Sequence, residues 1–84
     1  MRYKKNNYEF VAPSKRKYKK YDAYKNGKYI TSFGDVRYQQ YYDNIGHYSK
    51  FNHYDNERKR LYYIRHGKNA TKESSKWFSH NYLW

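Results

Sequence analysis

The sequence predicts an α+β fold: a small antiparallel sheet of two or three strands packed against one main helix, with a short C-terminal helix or anchor closing the core. Three observations carry this. Asn26-Gly27 separates two Tyr-rich stretches and suits the φ > 0 geometry of a two-residue hairpin turn. Asp55 and Gly67 bracket a stretch with helical spacing, the first suited to an N-cap and the second to the position after a helix. Only 11 of the 84 residues are Leu, Ile, Val or Phe, yet the chain holds 14 Tyr, 4 Phe and 2 Trp. Each such ring buries about 150–250 Å², so a core with Tyr at its rim and Phe or Trp at its centre replaces the usual aliphatic one. A chain this short supports one core, because small domains bury only about 60% of the surface they expose when unfolded.

Taken in order, residues 1–17 read as a basic N-terminal arm. Residues 1–20 hold eight Lys or Arg against a single acid, Glu9, and such arms are mobile until they meet an anionic or shaped partner. Within the arm, only Tyr8-Glu9-Phe10-Val11 has the character to dock on a core. The domain proper spans 18–84. Its hairpin pairs Tyr18–Lys25 with Lys28–Phe33, setting Tyr24 opposite Tyr29 and Ala23 opposite Ile30. One face then carries Tyr24, Tyr29 and Phe33, and the other Tyr21, Ala23 and Ile30. Val36–Tyr42 fits either a third strand or a short helix. Asp43–Asn52 is polar and irregular. In the helix near 55–66, Tyr54, Glu57, Leu61 and Ile64 recur at helical spacing with Leu61 and Ile64 as its buried pair, while Arg58, Tyr62 and Arg65 form a second, basic and aromatic stripe. Ser74 or Ser75 caps a last helix carrying Trp77 and Phe78, and Tyr82-Leu83-Trp84 anchors the end.

Composition also excludes. Without cysteine there are no disulfides, thiolate metal sites or thiol catalysis. No run of 18 apolar residues exists to span a membrane, and Met1-Arg2-Tyr3-Lys4-Lys5 has no apolar stretch behind it, so it is not a secretory signal. Four Gly and one Pro leave no phosphate-cradling loop. His47, His53, His66 and His80 lie near Asp43 and Asp55 without metal-ligand spacing, so neither a metal nor another cofactor is expected, and the reading is non-enzymatic.

A formal charge of +12 points to an anionic partner. Lysines interleaved with Tyr18, Tyr21, Tyr24 and Tyr29 supply cations for phosphate and flat rings for exposed bases. Lys15, Arg16, Lys17, Lys19, Lys20, Arg58, Lys59 and Arg65 are the candidate nucleic-acid-binding residues. No sequence-reading signature is present, and lysine is less geometrically specific than arginine, so binding is expected to tolerate sequence. Arg58 and Arg65 have a second option, pairing internally with Asp35 or Asp43.

The string His53-x-Asp55-x-x-Arg58-Lys59-x-x-Tyr62-x-x-Arg65-His66 resembles the signature of a family of small basic proteins encoded by large DNA viruses of algae and amoebae, the phycodnavirus and mimivirus groups. Lys20-Tyr21-x-Ala23, Gly27-Lys28, Phe33-Gly34, Tyr38 and Tyr41-Tyr42-Asp43 fit upstream, and Ser75-Lys76-Trp77-Phe78 with Leu83-Trp84 resembles the family's close. The likeness covers residues 17–84. It implies a viral origin and a place in the virion, with the host cytoplasm or nucleus as the site of assembly. It carries no catalytic residues. The expected partner is nucleic acid, DNA foremost, or else the acidic surface of viral structural proteins. In the second case the protein would be a minor capsid or cement protein whose arm bridges larger subunits.

Overall fold

A computed structural model describes residues 1–84, and its first elements form where the charge pattern predicts a mobile arm. Strands β1 (Arg2–Lys5) and β2 (Tyr8–Val11) pair antiparallel, with Arg2 opposite Val11 and Lys5 opposite Tyr8. They are joined by Asn6-Asn7 at φ 54° and 70°. A tight hairpin needs two consecutive positive φ values, and Asn reaches them more readily than most residues. Tyr8 and Phe10 are buried, whereas Lys4 and Lys5 face solvent. Arg2 donates to Glu9 at 3.0 Å across the pair. The arm is thereby corrected: residues 2–11 belong to the sheet. Burial of two rings outweighs the repulsion among basic side chains that remain hydrated.

Strands β3 (Lys19–Lys25) and β4 (Lys28–Asp35) complete a four-stranded antiparallel meander in the order β1-β2-β3-β4. The turn at Asn26-Gly27 has φ 52° and 78°, as its composition predicts, and Tyr24 lies opposite Tyr29. A bulge beside Ala23 then shifts the register, so Ala23 faces Thr31 rather than Ile30. One extra residue turns the following side chains over. Tyr21, Ala23 and Phe33 consequently lie on the core side, and Tyr29 is exposed. Gly34 adopts φ 76°, and a Cβ there would come within 3.0 Å of both Leu83 Cδ1 and Lys20 Cβ.

Val36–Tyr42 is neither strand nor helix. The loop between β4 and the first helix contains only a single 3-10 turn, Ser49–Phe51, and is organised by two buried polar residues. Asp43 accepts the backbone N–H groups of Ile45 (2.8 Å), Gly46 (3.0 Å) and Tyr48 (2.8 Å) and the Tyr21 hydroxyl (2.5 Å). Gln40 donates to Tyr48 O at 2.9 Å and Asn52 Oδ1 at 2.7 Å. Its own carbonyl accepts the His53 N–H at 2.9 Å.

Helix α1 (Asn56–His66) begins and ends where its caps predict. Asp55 accepts the N–H groups of Glu57 and Arg58 at 2.9 and 3.2 Å, and Gly67 N–H returns to Tyr63 O at 2.8 Å. Helix α2 (Ser75–Tyr82) is capped by Ser74 Oγ, which accepts the Trp77 N–H at 3.1 Å. The helix that covers the sheet is α2, not α1. Leu61 and Ile64, expected as a buried pair, are 40% and 64% exposed. The inward side chain of α1 is Tyr62, from the stripe expected to face out. Its ring stacks on Trp84 at 4.4 Å and 7°, and its hydroxyl meets His80 Nδ1 at 3.0 Å. A tyrosine buries a larger apolar face than leucine while its polar tip keeps a partner, so the aromatic stripe wins the contact.

The core is Tyr8, Phe10, Ala12, Tyr21, Ala23, Phe33, Phe78, Tyr82 and Leu83. Phe10 is its hub, with ring centroids 4.9 Å from Tyr82, 5.8 Å from Phe33, 5.9 Å from Phe78 and 6.2 Å from Tyr21. No helix is long and apolar enough to cross a membrane.

Two substitutions separate this core from the expected one. Phe10→Ala should lower unfolding free energy by about 3–5 kcal/mol, whereas Leu61→Ala should change it by about 0.5 kcal/mol or less. Urea denaturation followed by near-ultraviolet circular dichroism reads both. Deleting residues 1–11 should abolish the cooperative transition, and a shortened chain that melts like the parent would return those residues to the status of an arm.

Candidate nucleic-acid interface

All seven carboxylates are engaged inside the fold. Glu9, Asp35, Glu57 and Glu73 pair with Arg2, Arg37, Arg60 and Lys25. Asp55 caps α1, and Asp43 is surrounded by donors. Asp22 accepts the Ser14 hydroxyl at 2.5 Å, the Ser32 hydroxyl at 2.6 Å and the Lys15 N–H at 3.0 Å. Burial alone would raise its pKa, but these donors prevail and hold it below the ordinary carboxylate value. Most of the chain's 19 cations thus have no carboxylate partner.

Some of those cations converge. The start of β3, the end of β4, the last turn of α1 and the first turn of α2 surround an open cleft of about 570 Å³. Lys19, Arg65, Lys76 and His66 line it, Tyr38 and Trp84 form apolar walls, and the lone carboxylate is Asp35. That carboxylate is held by Arg37, whose guanidinium donates at 2.7 and 3.0 Å and keeps Asp35 down at about 2. Lys76 also donates to the His66 carbonyl at 3.0 Å, covering the end of α1. Burial and then the charges of Arg65 and Lys76 lower the His66 pKa, favouring its neutral form.

The eight residues singled out from sequence are dispersed. Lys19, Lys20 and Arg65 line the cleft, Lys20 with its ammonium turned into the fold. Lys15, Arg16 and Lys17 sit on the exposed loop between β2 and β3, where Lys17 and Arg37 lie 4.9 and 4.3 Å from the Tyr18 ring centre. Arg58 donates to Gln39 at 2.8 Å, not to Asp35 or Asp43, and Lys59 lies over Tyr41 at 4.4 Å. Lys20 is corrected: its residue is 1% exposed. Its ammonium donates to Tyr38 O at 2.9 Å and to Gln40 Oε1, with the Phe51 ring 5.3 Å away. Its neighbour Lys19 stays half-buried at the cleft, whereas the Lys20 side chain reaches into the loop between β4 and α1. Lys76 and Tyr38 went unidentified as site residues, since only tertiary folding brings them to Lys19.

The histidines do not assemble a metal site. His47 Nδ1 meets the Tyr3 hydroxyl at 2.6 Å, His53 Nδ1 accepts the Asp55 N–H at 2.9 Å, and His80 lies between Tyr62 OH and Gly67 O. No three His, Asp or Glu side chains come together. Beyond Trp84 lies a second cleft, of about 390 Å³, lined by Tyr41, Tyr42, Asn44, Tyr54, Lys59, Asn81 and Trp84. Comparison with protein-family models, curated proteins and solved structures finds no match to this chain.

The buried ammonium has a titration signature. Burial lowers the Lys20 pKa from 10.5 to about 8, so at neutral pH the unfolded chain hydrates its charge better than the fold does. As pH rises from about 8 to about 10, the fold releases this proton before the unfolded chain, and stability should increase. Above about 10 the sign reverses. Tyr8 and Tyr62 are pushed up to about 12, chiefly by burial, and Tyr21 higher still, by burial and then its bond to Asp43. The unfolded state then loses protons the fold retains. Melting temperature should therefore peak between these ranges, and Lys20→Met should remove the rise on the alkaline side of neutrality.

Proposed function

We propose that this protein is a non-enzymatic viral protein that holds nucleic acid in or near the virion, gripping phosphates without strong sequence preference. The observation that carries the reading is the convergence of Lys19, Arg65 and Lys76 on one cleft, none of them paired with a carboxylate. Cations without an internal carboxylate keep their attraction for an external polyanion, and phosphate neutralisation releases counterions from it. Two of the three are lysines, point charges that do not demand one hydrogen-bonding geometry. The basic loop of Lys15, Arg16 and Lys17 extends the favourable field. DNA is the polymer we favour, and the resemblance of residues 17–84 to small basic proteins of large DNA viruses supports the viral setting, with assembly in the host cytoplasm or nucleus.

The alternative, a minor capsid or cement protein, drew on a free basic arm threading between subunits. Residues 2–11 are paired in the sheet, which removes that argument and favours nucleic acid.

Fluorescence anisotropy with random-sequence duplex and single-stranded DNA across a salt series tests the proposal. Binding should fall linearly on logarithmic axes, with a slope of about −0.9 per neutralised phosphate on duplex. Lys19→Ala, Arg65→Ala and Lys76→Ala should each weaken binding and reduce that slope by about 1, equally across sequences. Absence of binding at low salt would overturn the reading and turn the basic surface toward an acidic protein.

A further inference from the structure

We propose that the second cleft, walled by Tyr41, Tyr42, Tyr54 and Trp84, receives one unstacked base of a single strand, with Lys59 beside it for the adjoining phosphate. This rests on the nucleic-acid reading and specifies the form of nucleic acid that the surface prefers.

The rings are available. Tyr42 and Tyr54 are 43% and 59% exposed, with centroids 5.7 Å apart and planes tilted by 39°. Tyr41 meets Tyr54 edge-on at 6.2 Å. Exposed tyrosines on a mobile loop would lose much entropy on gripping a ligand, but these are held from beneath. Tyr42 N–H donates to Leu83 O at 3.0 Å and Tyr54 N–H to Tyr41 O at 3.1 Å. The backbone under both rings is therefore fixed in advance.

A second, independent observation is the conformation of Tyr54. Its φ is 55°, in the left-handed region that a bulky side chain adopts only at a cost. Glycine would occupy that position without penalty. The Tyr54 ring stays 59% exposed, its contacts being Tyr41, Tyr42 and the Asn52 amide at 3.4 Å.

Charge selects among occupants of an aromatic cleft. A quaternary or methylated ammonium would meet Lys59, whose ammonium already lies 4.4 Å from the Tyr41 ring centre, on a chain of net charge +12. A neutral base carrying a phosphate meets the same cation favourably, and no Asp or Glu lines the cleft. Trp84 lines both clefts, so a strand with phosphates at Lys19, Arg65 and Lys76 has a neighbouring place to lay a base. In a duplex the bases are already stacked and paired, and they have no access to such a cleft.

The test uses the intact chain, a 12-nucleotide oligothymidylate and a blunt random duplex. Tyr54→Gly should melt at or above the parent's temperature because it relieves the left-handed strain. It should weaken oligothymidylate binding by about tenfold, with the salt slope and the duplex affinity unchanged. Tyr42→Leu, on the other wall, should show the same selective loss, while Tyr54→Phe should bind as the parent does. Equal losses on both probes, no loss on the single strand, or a Tyr54→Gly variant less stable than the parent would overturn the base site while leaving phosphate binding standing. Failure of the parent to bind either probe at low salt would instead overturn the nucleic-acid reading and this inference with it.

Discussion

The fold depends on one ring. Phe10 is wholly buried where the central strands meet α2, and rings from β3, β4 and α2 close around it. Phe33 and Phe78 lie nearly parallel at 5.3 Å and 18°, and both present themselves to Phe10 at close to a right angle. Edge-to-face contacts of this kind set the positive rim of one ring against the negative face of another, adding about 0.5–1.5 kcal/mol per pair beyond the area buried. With so few aliphatic residues, such geometry substitutes for the interlocking of branched side chains. It also makes the N-terminal hairpin indispensable, because β2 delivers Phe10.

A second organising centre is polar. The loop between β4 and α1 lacks the regular ladders that satisfy buried backbone groups elsewhere, so side chains do it. Asp43 accepts three consecutive-region N–H groups, and Gln40 and Asn52 extend the network toward Lys20. The Tyr21 hydroxyl ties this centre to the aromatic core, donating to Asp43 and accepting the His47 N–H at 3.1 Å. Buried polar networks are favourable only when their members are satisfied, which is why Asp43 and Lys20 are both tolerated inside so small a body. The same loop fixes Tyr41, Tyr42 and Tyr54, so the polar centre positions the aromatic cleft.

The features legible in the sequence were those set by local chemistry. Asn26-Gly27, Asp55, Gly67 and Ser74 act through their own φ values or adjacent N–H groups, and they behave as their residue types predict. Features decided by tertiary competition were not. The Tyr8/Phe10 alternation and the Asn6-Asn7 turn are present as signals, but the surrounding lysines give the segment the composition of a mobile arm. Leu61 and Ile64 carried the conventional mark of a buried helix face, yet Tyr62 had Trp84 to stack on and His80 to bond. Lys20 was indistinguishable from Lys19 until β3 acquired a register. Of the candidate site, Lys19, Lys20 and Arg65 were anticipated at the cleft, Lys20 with its ammonium turned inward, while Lys76 joins them through a fold that brings α2 against β4.

The fold's handling of charge follows from scarcity. Seven acids cannot balance 19 cations, and those seven are placed on structural tasks: capping a helix, organising a loop, bridging strands and restraining Arg37. Placed there, they leave Lys19, Arg65 and Lys76 lining one cleft with no salt bridge to any of them. Like charges gathered in one place would favour an external polyanion. Tyr54 holds its left-handed φ of 55° with its N–H bonded to Tyr41 O and its ring against Tyr41 and Tyr42. The cations and the rings both lie beside Trp84, stacked on Tyr62 and shared by the two clefts. Unpaired cations and a cluster of exposed rings are thus gathered on either side of one indole, where a single ligand with phosphates and bases would meet both.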